Sequence, residues 1–381
     1  MAIEAMQINR RSFLIGFTLA LGSASHALAG VLSPDDAVAA GRGDFIAACR
    51  RADGTYSVVV LRLDGSIVRE LPLRDRGHDI ALDPTSGQAV VFARRPGSFA
   101  LAFDVRGRRE PVLFATPPNR HFYGHGVFSP DGRLLYATEH DNETRDGLLG
   151  VYAATQGYKR IGELKTFGIG PHEVILLADG KTLAVANGGI ETHVEAGGTG
   201  REKLNIDTMR PSLAFIDSAT GDLIAQHNQS RDLHKLSIRH IAADARGAVW
   251  FGAQWEGEAE ETPELIGFAG IDKPLRIIEP ETPRGADLAG YIGAVAISGD
   301  RRVLAASAPR AGRIVYVDTE RAAIIGETPL IDGCGLAGVA ESEFALSSGL
   351  GVVETETPDH THLKTASFPG RSFDNHLRLI G

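Results

Sequence analysis

Histidine recurs in this chain at the start of short apolar runs. The stretches are RGHDIALDPTSGQAVVFARR from Arg76, YGHGVFSPDGRLLYATEH from Tyr123, GPHEVILLADGKTLAVANGG from Gly170 and IRHIAADARGAVWFGAQW from Ile238. Neutral imidazole is the commonest protein metal ligand near neutral pH. Grouped imidazoles with a few carboxylates suit Fe, Cu, Zn or Mn. His78, His125, His172, His240 and His376, with Glu173, are therefore the candidate metal ligands. Arg120, His121, His193, Asn205 and Arg239 are the candidate ligand-binding residues, and the two arginines suit a carboxylate or another anion better than a metal.

These residues share an axis only if the elements carrying them repeat around it. Two further copies lack the His: YIGAVAISGDRRVLAASAP from Tyr291 and GLAGVAESEFALSSGLG from Gly335. A period of roughly 40–50 residues marks a propeller or solenoid. Each copy divides into short β-branched or alternating runs separated by turns such as PDG, ADG and SATGD. That pattern predicts antiparallel hairpins. Six copies stand in the middle of the chain. FIAACR, TYSVVVLRLDG and SIVRELPL near the start lack a first strand, and SFDNHLRLI at the end supplies one. The expectation is an all-β, seven-bladed propeller, closed by one C-terminal strand beside three N-terminal strands. Such closure leaves no open sheet edge.

Register poses a difficulty. His125 and His240 lie seven residues before Gly132 and Gly247, His172 lies eight before Gly180, and His78 lies nine before Gly87. Side chains alternate faces along a strand. The imidazoles converge only if bulges absorb these offsets. The competing reading makes every His a structural hydrogen-bonding group within its blade.

Asn9-Arg10-Arg11-Ser12-Phe13-Leu14, an apolar segment and Ala27-Leu28-Ala29 read as a twin-arginine signal over residues 1–29. The apolar segment is too short to span a bilayer. The expectation is a periplasmic protein, residues 30–381, forming a single propeller domain. An insertion around residues 188–210 interrupts the repeat that begins at Gly170. A shorter acidic stretch, WEGEAEETPE, starts at Trp255 and reads as a solvated loop.

The net charge is −9 over 381 residues. That argues against nucleic acid, which needs a basic footprint. Two cysteines, Cys49 and Cys334, are too few for a disulfide scaffold, although an oxidising compartment allows them to pair. No G-x-S-x-G elbow, H-E-x-x-H, phosphate loop or haem-attachment motif is present.

The stretches RGH (76–78), ARRPG (93–97), RHFYGHGVFSPDG (120–132), TEHD (138–141), GIGPHE (168–173), ANGGIETH (186–193), KLNIDTM (203–209), PSLAFID (211–217), SIRH (237–240) and DNHL (374–377) resemble the bacterial Domain of Unknown Function 1513 family of exported, propeller-like proteins. The resemblance implies a periplasmic role in acquiring iron, with copper as the second candidate. It implies imelysin-like or di-haem-peroxidase-like proteins as partners. It hands over no catalytic residues. A monomeric binding protein with a His-rich channel site is the leading expectation. The alternatives are a metal-dependent propeller enzyme, lactonase-like or quinoprotein-like, and a ligand-free interaction scaffold.

Overall fold

The structure, a computed structural model, describes residues 43–95, 97–194, 201–282 and 284–381. The export signal expected over residues 1–29 lies outside them. Among the described residues no helix is long and apolar enough to cross a membrane.

Seven four-stranded antiparallel sheets form a closed ring of blades, as the repeats predict. Blade 1 joins the ends of the chain. Its inner strand is Arg371–Leu379, followed outward by Phe45–Arg51, Tyr56–Leu61 and Ile67–Leu73. The inner strands of blades 2 to 7 are Gly77–Leu82, Arg120–Phe128, Pro171–Leu176, Leu236–Ala243, Ala294–Ile297 and Gly333–Gly338. Each inner strand touches the next, and Gly333–Gly338 touches Arg371–Leu379, so the ring has no seam.

Burial follows composition. The middle strands, such as Gln88–Ala93 (QAVVFA) and Val303–Ala308 (VLAASA), are nearly all buried. They pack on neighbouring blades through both faces, which calls for continuous apolar runs instead of alternation. The outermost strand Lys159–Lys165 (KRIGELK) exposes every second residue. The core is divided among the gaps between blades. Between blades 3 and 4, for example, Tyr136, Leu149 and Val151 meet Val174, Leu183 and Val185.

The insertion in blade 4 forms a separate two-stranded sheet, Thr192–Val194 with Arg201–Lys203. Asn205 ties its base down, accepting from Glu191 N at 2.7 Å and donating to Gly189 O at 2.9 Å. In the acidic stretch, residues 258–261 are exposed as expected, but Trp255 and Glu256 turn inward. Cys49 and Cys334 are both buried free thiols. Burial pushes the Cys334 thiol up to about 12.

Candidate metal centre

The bulges that the His spacing requires are present. In blade 4 the extra residue, between the pairs Pro171↔Asn187 and Glu173↔Ala186, is His172. In blade 5 it is Arg239. In blade 2, His78 and Asp79 lie between the pairs Gly77↔Ala93 and Ile80↔Val91. Blade 3 breaks register over residues 123–125 and blade 1 over residues 374–376. These breaks of different size take up the unequal spacing and turn all five imidazoles toward one place. Gly124 serves the blade 3 break: its φ is +106°, and a Cβ there would come within 2.7 Å of the His78 ring.

His78, His125, His172, His240 and His376 form one cluster and are 0–7% exposed. His125 is the hub. Its ring centroid lies 4.9 Å from His78, 4.9 Å from His172, 5.6 Å from His240 and 4.8 Å from His376. Three sets, His78–His125–His172, His125–His240–His376 and Asp79–His125–Glu173, each bring one ligand atom per residue within 4.8 Å of the others.

The carboxylates act between blades. Asp374 of blade 1 accepts from His78 Nδ1 of blade 2 at 3.0 Å. Asp79 of blade 2 accepts from His125 Nδ1 of blade 3 at 2.9 Å. Glu173 of blade 4 accepts from His240 Nδ1 of blade 5 at 3.1 Å. An ionised carboxylate only accepts, so each of these Nδ1 atoms carries a proton, and in a neutral ring the lone pair is then on Nε2. Carboxylate–histidine pairs of this kind orient metal ligands. His172 has no such partner, because Gly126 stands where blade 3 would supply the carboxylate. Buried His125 Nε2, His172 Nδ1 and His376 Nε2 have no hydrogen-bond partner among the described residues. Buried polar atoms are ordinarily paired, so three orphans in one cluster need an explanation.

Charge supplies a second argument. Desolvation pushes the pKa of His78 down to about 3, lowers that of His240, and drives those of His172 and His376 well below the ordinary value. These four imidazoles are neutral at pH 7. Burial opposes ionisation of Asp79, but the Arg378 guanidinium and the adjacent imidazoles hold its carboxyl well below the usual range. Arg378 donates to Asp79 Oδ1 and Oδ2 at 2.8 and 2.6 Å, and to Glu173 Oε1 at 3.3 Å. The Glu173 carboxyl is also lowered against burial, chiefly by His125, then by His240 and Arg378. Asp374 is held at about 2 against burial by the His78 hydrogen bond and by Arg76, which pairs with it. Asp79 and Glu173 thus share one guanidinium, two carboxylates to one fixed cation, beside the four neutral imidazoles. A cation there would offset the excess of carboxylate, and the donor set of imidazole nitrogens and carboxylates fits Fe, Cu, Zn or Ni.

Not every sequence candidate joins this centre. Arg120 sits in an ion-pair group with Glu163, Asp141 at 3.3 Å and Glu139 at 3.7 Å. His121 bonds Asn142 Oδ1 at 3.0 Å and stacks on Tyr123. Neither lines the cavity that opens onto the cluster. Asn205 braces the insertion, and the backbone of His193 lies in the two-stranded sheet of that insertion. Arg239 does line the cavity, together with His78, His172 and His240. The residues that sequence reasoning passed over are Asp79, Asp374 and Arg378. Their signal was adjacency: His-Asp at 78–79 mirrors His-Glu at 172–173, and Arg378 lies one strand period beyond His376.

The hydrazine synthase of Kuenenia stuttgartiensis is similar in fold, with a TM-score of 0.59 and 15% identity over 86% of this chain and 97% of that one. At that identity the likeness speaks for the fold alone. No curated protein matches the sequence. The family model described as "Protein of unknown function (DUF1513)" matches residues 71–380, and the chain belongs to that family.

Proposed function

We propose that this protein is a periplasmic binding protein that holds a transition-metal ion, iron or copper, in its imidazole cluster and serves metal acquisition. One observation carries the reading: imidazoles from five blades meet with three Nδ1 atoms fixed by carboxylates and with buried ring nitrogens left unpaired. Each residue group has a part. Asp374, Asp79 and Glu173 fix the tautomer and aim of His78, His125 and His240. Burial keeps His78, His172, His240 and His376 neutral and ready to donate. Arg378 holds the two central carboxylates together and leaves one charge for the ion to satisfy. When bound, the ion supplies that positive charge and an electrophilic centre at the cavity floor.

The test is elemental analysis of protein purified from the periplasmic fraction, without chelator or affinity metal, after growth with iron and copper. About one ion per chain is expected, lost in His125→Ala and in His172→Ala while the fold persists. Absence of metal, with no uptake on titration, would sink the reading and leave a docking scaffold. Finding the chain only in the cytoplasmic fraction would remove the periplasmic part, which rests on residues 9–14 and 27–29. Imelysin-like and di-haem-peroxidase-like proteins are the partners to test by co-purification.

A second reading, a metal-dependent enzyme, is favoured by the cavity's access to His78, His172 and His240. His78, His172 and His240 would then hold the ion at the cavity, where it would supply Lewis acidity for hydrolysis. Metal-dependent turnover of esters or lactones distinguishes it.

A further inference from the structure

The cavity above the cluster carries the opposite charge to the protein as a whole. The chain has net charge −9, yet Arg94, Arg95, Lys203, Arg239 and Arg310 line this cavity of about 280 Å³ against one carboxylate, Glu256. Glu256 does not neutralise them: it pairs with Lys203 and lies 3.5 Å from Arg239. Two donors are buried without partners at the wall. Arg239 is 2% exposed and its Nε is unpaired; Tyr123 is fully buried and its hydroxyl is unpaired. Arg95 lies over the Tyr123 ring at 5.0 Å and Arg310 over the Tyr291 ring at 4.2 Å, so the aromatic walls hold both guanidinium groups in place. Guanidinium forks match carboxylate geometry in bidentate pairs, and a concave cationic mouth concentrates anions.

We propose that this cavity binds a small polycarboxylate anion, and that the metal of the cluster is taken up as its carboxylate chelate. The anion satisfies Arg239 and Tyr123 at the wall and brings carboxylate oxygens to the face of His78, His172 and His240. The chelate part of this inference rests on the metal reading above; the anion part does not.

Citrate, copper(II) and copper(II) citrate serve as probes in isothermal titration of the full chain, with metal removed beforehand. The expected result is one citrate bound per chain, weakened by added salt, and about tenfold or more weaker in Arg239→Gln. Arg239 is buried, so the surface variant Arg310→Gln provides the control against misfolding and is expected to weaken citrate in the same direction by a smaller factor. Copper(II) citrate is expected to bind more tightly than citrate alone. No citrate binding, or equal binding in both variants and wild type, overturns the proposal even where free copper(II) binds. Citrate binding that depends on Arg239, with copper(II) citrate bound no more tightly than citrate, keeps the anion site and overturns the chelate, whereas the metal reading itself falls only by the elemental analysis above.

Discussion

Blades 1 to 5 and blades 6 and 7 are the same four-stranded unit, yet their inner strands differ in kind. The first five carry the imidazoles, their carboxylate partners and a register break at or beside each His. Blade 6 runs Ala294–Ile297 (AVAI) in plain register. Blade 7 has a bulge, but its extra residue is Cys334, whose thiol turns to the backbone of Asp374 at 3.4 Å. An inner strand therefore takes its place in the ring without a His, and in blade 6 without a bulge as well. The polar residues of blades 1 to 5 are therefore additions that the blade unit itself does not require, in keeping with the role proposed for them.

The widest divergence between the two regions is expected in acid. Unfolded imidazoles take up protons below about 6.5, whereas native His78 resists until about 3, and His172, His240 and His376 are lowered in the same sense. The unfolded chain then binds more protons, so stability falls as pH drops below 6.5. The slope approaches about 1.4 kcal/mol per pH unit for each such imidazole. Urea unfolding in chelator from pH 7 to pH 4 measures it. Replacing His78 and His172 by Gln should flatten the curve, and an unchanged slope would show that the cluster does not govern it.

Removing Arg378 leaves Asp79 and Glu173 buried without their shared cation. Arg378→Ala should cost about 3–5 kcal/mol in chelator-treated protein, and added metal should restore part of that loss. A blade 7 core change, Leu336→Ala, should cost about 2–5 kcal/mol while leaving metal content untouched. Loss of metal in that variant would tie the site to the whole ring instead of five blades. Asp79→Asn changes the acceptor that orients His125 and should weaken metal binding about 10–100-fold, read by competition with a calibrated chelator. The smallest effect is expected from Cys334→Ser, which occupies the bulge position of blade 7: metal content unchanged and stability altered by about 1 kcal/mol or less.

What the sequence disclosed follows from how far apart its partners lie. Blade number, closure by the last strand and the five His were readable because each repeat carries its own turn glycine and its own imidazole. The carboxylate partners were harder to read because they act across blades: Asp79 meets His125 across 46 positions, and Arg378 reaches Asp79 across 299. The run RHFYGHG drew attention to Arg120 and His121 by density, but the three-residue break in blade 3 separates them from His125, and Arg120 goes to acidic residues of its own blade. Of the cationic cavity only Arg239 was marked in the sequence, since its arginines come from residues 94, 95, 239 and 310, spread over several blades. The buried thiols could not be predicted to stay free from their number alone.

The last strand has a consequence for timing. Asp374, His376 and Arg378 arrive within the final eight residues of the chain and complete a centre whose other members come from blades 2 to 5. No partially synthesised or C-terminally clipped chain possesses the guanidinium between Asp79 and Glu173. A metal held there in the proposed role would meet a finished cage only after this last strand has docked, and would tie that strand to blades 2 to 5. Such an occupant would act as a clasp on the ring, and its departure would loosen the strand that closes it.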